Sequence, residues 1–268
     1  MVMKRNVSKY WLLAAGISIV VPDMAYCAEP TNQPSIASPM EEVKVVETNK
    51  PVQVTTQGSL AGARIVYKPP LRGAPAVRID GGSRGSGVSL ICLTVLAPDH
   101  TGLTVHDQPA LFWYQSEPAD VPFELTVIEW GKPEPLLRVR LPNARKSGIQ
   151  HIRLSDYNVK LITGVEYEWV VALVVDPENR SKDVVASGFI KRVEPTAELT
   201  ARLAHADKQE LPAIYAEEGV WYDTVDALMT LADERPGDRS LRADSAALLN
   251  QAGLTKAAAY AGRALPGD

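Results

Sequence analysis

The sequence predicts an α+β chain in two unlike parts, an antiparallel β-sandwich followed by an α-helical segment. Three observations carry this. Val165, Tyr167, Trp169, Val171, Leu173 and Val175 alternate with Glu166 and Glu168, the period-2 signature of a half-buried strand. Short apolar runs of the same kind recur from residue 88 to 195, separated by Pro, Gly, Asn and Asp clusters. After Pro195 the period changes: Trp221, Val225, Leu228, Met229 and Ala232 fall on one face of a helix.

The N-terminus has an export profile. Lys4, Arg5 and Lys9 precede the apolar run Trp11 to Val21, which stops at Pro22 and is followed by Ala25, Cys27 and Ala28. The run is shorter than the ~20 apolar residues of a membrane-spanning helix. Residues 1–27 are therefore read as a signal peptide cleaved near Cys27, which gives a periplasmic or secreted address. Bulky Tyr26 argues against keeping Cys27 as a lipidated residue.

Residues 28–60 are rich in Pro, Thr, Ser, Asn, Gln and Glu, and burying so little apolar surface does not offset the entropy of ordering them. They read as a disordered linker. Residues 61–87 read as a strap and loop: a possible short strand at Ile65 to Tyr67, an extended Lys68 to Pro75 fixed by its prolines, then Gly81-Gly82-Ser83-Arg84-Gly85. The strap is expected to lie across the protein's own sheet.

Between 88 and 195 the strand candidates are Val88 to Leu96, Ala110 to Gln115, Phe123 to Glu129, Leu136 to Leu141, Ile149 to Leu154, Val159 to Leu161, Val165 to Val175 and Val184 to Val193. The order of Phe112-Trp113-Tyr114 early and Tyr167-Glu168-Trp169 late resembles immunoglobulin or fibronectin-type domains. Trp113 and Trp169 are expected to anchor the core, an exposed aromatic platform being the alternative for Trp113.

Residues 196–268 form the helical part. The stripe along Trp221 to Arg235 is followed by a second one at Leu241, Leu248, Leu249 and Ala252. Gly219 and Gly253 stand 34 residues apart, each at the end of a helical run. That period resembles two tetratricopeptide-like helical hairpins. Pro212 inside the first helix and Thr224 where a small residue is usual depart from the pattern.

Composition excludes several function classes. The formal net charge is −4, and cleavage after Cys27 makes the remainder more acidic, which argues against nucleic acid and against an anionic membrane surface. Gly81 to Gly85 matches the form of a nucleophile elbow on Ser83, but the β-branched run that follows is not the helix such an elbow needs. The loop carries no phosphate-binding Gly-Lys signature. His100, His106, His151 and His205 have no metal spacing, and neither metal nor cofactor is expected. Cys92 reads as a buried, inert thiol.

Tyr67 to Pro75, Gly81 to Gly85, Leu96-Ala97-Pro98, Phe112-Trp113-Tyr114, Tyr167-Glu168-Trp169, Arg180-Ser181 with Asp183, Gly188 to Val193 and Tyr215 to Asp223 together resemble a bacterial family catalogued as domain of unknown function 928. The resemblance implies export, a β-rich body and a helical tail, with no catalytic residue to carry over. The expectation is a non-enzymatic interaction protein of the cell envelope with an unidentified protein partner. The alternatives are a carbohydrate or anion binder and an esterase built on Ser83. Candidate binding residues are Arg72, Arg78, Arg84, Trp113, Trp221 and Tyr222. The three arginines are expected to pair with acidic residues of the helical tail.

Overall fold

The computed structural model describes residues 65–70, 78–82, 91–142 and 145–263. The signal-peptide and linker readings, Arg72, Ser83 and Arg84 lie outside them. The described chain is α+β, with nine strands preceding five helices. β1 (Gly81–Gly82), β2 (Cys92–Val95), β4 (Ala110–Gln115) and β7 (Gly148–Arg153) form one sheet in the order β1-β2-β4-β7. β3 (Gly102–Thr104), β9 (Val184–Arg192), β8 (Glu166–Leu173), β5 (Phe123–Glu129) and β6 (Pro135–Leu141) form the other in the order β3-β9-β8-β5-β6.

The expected all-antiparallel arrangement needs correction. β3 runs parallel to β9, pairing Gly102 with Ile190 and Thr104 with Arg192, so the five-stranded sheet is mixed. Val159 to Leu161 is not a strand: the Val159 N–H donates to the Leu154 carbonyl of the preceding 3-10 turn and the Leu161 N–H to the Asp107 carbonyl of a distant loop. Ile65 to Tyr67 is not a strand either. The described residues 65–70 lie along helices rather than across a sheet, because Lys68 N–H donates to Ala216 O and the Gln251 side chain bonds both Tyr67 N–H and Ile65 O; the rest of the extended stretch to Pro75 lies outside the described residues.

Alternation decides which face of each strand is buried. Phe123, Leu125 and Val127 of β5 and Tyr167, Trp169, Val171 and Leu173 of β8 point into one hydrophobic core, which also takes Leu93, Val95, Leu111 and Trp113 from the four-stranded sheet. The sheets come close at Gly188, where a Cβ would stand 2.6 Å from the Ala97 Cβ. Residues 78–82 pass between sheet edges: Ile79 exchanges two backbone bonds of 3.0 Å with Ser187 on β9, and Gly81 and Gly82 then pair with β2. Gly81 is required there, since a Cβ would lie 2.6 Å from Val185 O.

The helices are α1 (Ala197–His205), α2 (Leu211–Glu217), α3 (Trp221–Glu234), α4 (Arg239–Gln251) and α5 (Thr255–Ala261). Thr196 caps α1 through its hydroxyl to Leu199 N–H, and Asp238 caps α4 at Ser240 and Leu241. Pro212 sits in the first turn of α2, where its missing N–H costs nothing. Gly219 and Gly253 have φ of +73° and +70°, and each is followed by a helix that starts two residues later. α3 is the central helix: Trp221, Tyr222, Val225 and Leu228 belong to the same core as the strands, so helices and sheets share one hydrophobic interior.

Candidate functional site

Among the concave regions that meet α3 are a groove and a smaller cleft. The groove, of about 520 Å³, lies between α1 and α2 on one side and α3 and α4 on the other. Its floor is apolar, with Ala213 and Ile214 from α2, Leu228 and Leu231 from α3, and Leu241 from α4. Its rim carries both charge signs, with Arg202 and Glu210 facing Arg235 and Asp238, while Asp244 lines it from a buried position. Arg202 is held by Glu217 at 2.7 Å and Glu218 at 3.2 Å, which fixes α1 against the end of α2. Ile65 closes one end of the groove and leads into the strap.

The smaller region is a cleft of about 150 Å³ lined by His106, Lys208, Tyr215, Asp223, Asp226 and Thr230 among others. Its centre is Asp223, in the first turn of α3 and buried. The carboxylate accepts the Thr104 hydroxyl at 3.1 Å and the Val105 N–H at 3.0 Å, and His106 Nε2 stands 3.3 Å away. Burial pushes its pKa up to about 6, against the lowering effect of His106 and the two hydrogen bonds. One turn further on, Asp226 holds Arg153 of β7 through two bonds of 2.7 and 2.8 Å. Burial also pushes the Tyr215 hydroxyl up to about 12, with Asp223 and Asp226 adding to it. The two aspartates thus act as clamps that tie the end of β3 and the end of β7 to α3.

The sequence-predicted residues fall as follows. Trp113 is buried in the core, as expected of it, and is no exposed platform; Trp221 and Tyr222, candidate contact residues, are buried as well and serve as core residues. The Trp221 indole N–H donates to Leu96 O at 2.8 Å, and Tyr222 donates to Phe189 O at 2.9 Å. Arg78 is engaged internally, but with carbonyls rather than acidic residues of the tail. Its Nη1 donates to Ala97 O and to Ala252 O, both at 3.0 Å, and its Nε lies 3.3 Å from Asp80. It joins the sheet edge to the end of α4.

Cys92 is half-buried rather than buried, and Lys256 Nζ of α5 lies 3.3 Å from its sulfur. Sequence reasoning missed the Asp223–His106 contact, whose partners are 117 positions apart, and the groove, which needs four helices in place. Among the described residues no group of three or more His, Cys, Asp or Glu is placed to hold a metal ion, and no helix is long and apolar enough to cross a membrane.

Compared with known proteins, residues 79–261 match a family model described as Domain of Unknown Function (DUF928). No curated protein matches the chain.

Proposed function

As the chain belongs to the DUF928 family, a grouping defined without an activity, we propose from its own residues that it is an exported, non-enzymatic interaction protein of the cell envelope. The basic residues, apolar run and small residues of positions 1–28 support the address. In this reading the two sheets are an immunoglobulin or fibronectin-like sandwich, and α2 to α5 are two tetratricopeptide-like hairpins. The matching left-handed turns at Gly219 and Gly253 support the second comparison.

The observation that carries the proposal is the groove of about 520 Å³ over α2 and α3, with an apolar floor and a rim of both charge signs. Such a surface suits an extended peptide: apolar side chains enter the floor while the peptide's polar backbone stays near the rim. Cell fractionation tests the address, and recovery in the cytoplasm counts against it. A photoreactive residue at exposed Gln209, on the lip of the groove, tests the interaction in the cells that make the protein. Mass spectrometry is expected to find an adduct with a second envelope protein, and recovery of this chain alone contradicts the proposal.

A further inference from the structure

β6 ends the five-stranded sheet, so one side of its backbone faces no other strand among the described residues. An uncovered strand edge is a template on which another extended chain can pair. The other three sheet ends are treated differently, since β1 packs against β9, α3 against β3 and α5 against β7. Along β6 the side chains of Leu136, Arg138 and Arg140 are exposed, alternating with half-buried Leu137 and Val139.

The charges at this edge select a kind of partner. Arg138 and Arg140 have no carboxylate within 4.0 Å among the described residues. The acidic neighbour across the ladder from Arg140 is Glu124, which Arg180 of another loop already engages at 3.1 Å. A second copy of this chain, pairing antiparallel on the same edge, would set arginine against arginine, and like charges opposite each other destabilise a strand pair. A strand with carboxylates at alternate positions meets both guanidinium groups at once, because residues two apart on a strand share a face and a spacing of about 6.6 Å.

We propose that β6 is a strand-addition site for an extended acidic segment of another protein, which continues the five-stranded sheet and pairs alternate carboxylates with Arg138 and Arg140. The site is on the sheet and does not depend on the groove between the helices.

The probe is the peptide Gly-Glu-Val-Glu-Val-Glu-Val-Glu-Gly, with two controls: the same peptide with Lys for Glu, and one with Pro at the central Val. Binding is read by fluorescence anisotropy and by hydrogen exchange across Pro135–Leu141. The acidic peptide is expected to bind and to slow exchange in β6, while the lysine peptide does not bind and the proline peptide loses the backbone ladder. Arg138→Glu with Arg140→Glu is expected to weaken binding at least about tenfold. Raising salt from about 0.05 to about 0.5 M is expected to weaken it in the unaltered protein, a readout independent of whether the double variant folds. The groove variant Ala213→Trp is expected to leave the affinity unchanged. Unchanged exchange in β6 overturns the proposal, as does equal binding of either control peptide. Slowing of β6 exchange with protein concentration alone overturns it in favour of a second copy.

Discussion

Trp169 of β8 donates its indole N–H to the Tyr222 hydroxyl of α3 at 2.8 Å, and that hydroxyl donates in turn to Phe189 O of β9 at 2.9 Å. All three residues lie in the interior or at its margin, so this chain of bonds is where the central helix is keyed to the five-stranded sheet. Burial pushes the Tyr222 hydroxyl well above the ordinary tyrosine range, so it stays protonated and keeps its donor role.

Tyr222→Phe removes the shared hydroxyl and leaves a buried indole N–H and a buried carbonyl without their partner. The expected loss is about 2–3 kcal/mol, or on the order of 5–10 °C in melting temperature. Calorimetry of the two proteins checks it, and an unchanged transition means that water or repacking replaces the bonds.

The paired glycines are expected to differ in sensitivity although both have positive φ. Gly253→Ala meets nothing within 4 Å and pays only the left-handed backbone cost, about 1 kcal/mol. Gly219→Ala adds a clash, since its Cβ would lie 2.6 Å from Lys68 O in the strap. Urea unfolding of the two variants is expected to place Gly219→Ala clearly below Gly253→Ala. Equal losses would show that the strap does not press on this turn.

Asp223 gives the protein a pH dependence of definite sign. Its folded pKa is raised to about 6 by burial, while an unfolded aspartate titrates near 3.9. The folded state therefore binds the proton first. The stabilisation from this group is fully present below about pH 4 and is lost as pH rises through about 6, a swing on the order of 3 kcal/mol. Relative to Asp223→Asn, the unaltered protein is expected to gain stability as pH falls from about 7 to about 4. Parallel stability curves for the two proteins would contradict this.

The strands that were legible in the sequence are those with an unbroken period and a turn at each end. Ala110–Gln115 and Phe123–Glu129 match their expected limits, and β8 and β9 fall within a residue or two of theirs. β3 has only the three residues Gly102–Thr104, too few to show alternation, and its parallel partner lies some ninety residues away, so neither the strand nor the mixed sheet was visible. Val159 to Leu161 has strand-like residues, but the carbonyls of a 3-10 turn and a distant loop take the Val159 and Leu161 N–H groups. In the strap the sequence shows extension without showing what it lies on: Ile65 O, Tyr67 N–H and Lys68 N–H are satisfied by the Gln251 side chain and Ala216 O, both of the helical part.

At the candidate site the floor of the groove was partly legible, because Leu228 and Leu241 belong to the helical stripes. The clamps were not. Asp223 reads as one more acidic residue near a helix start, favourable to the helix dipole, and only the fold brings Thr104, Val105 and His106 onto its carboxylate. Arg78 was expected to be engaged within the protein, yet besides its near neighbour Asp80 its partners are backbone carbonyls, which carry no sequence signal.

The groove between α1, α2, α3 and α4 is proposed to receive a segment of a partner protein. Ala213, half-exposed on the groove floor, gives the most direct test. Ala213→Trp fills the groove from a half-exposed position at the margin of the core, and thermal unfolding checks that the variant stays folded. With the photoreactive residue at Gln209, the adduct with the envelope partner is expected to disappear in Ala213→Trp while export and folding persist. An adduct of undiminished yield in that variant would show that the partner does not enter the groove.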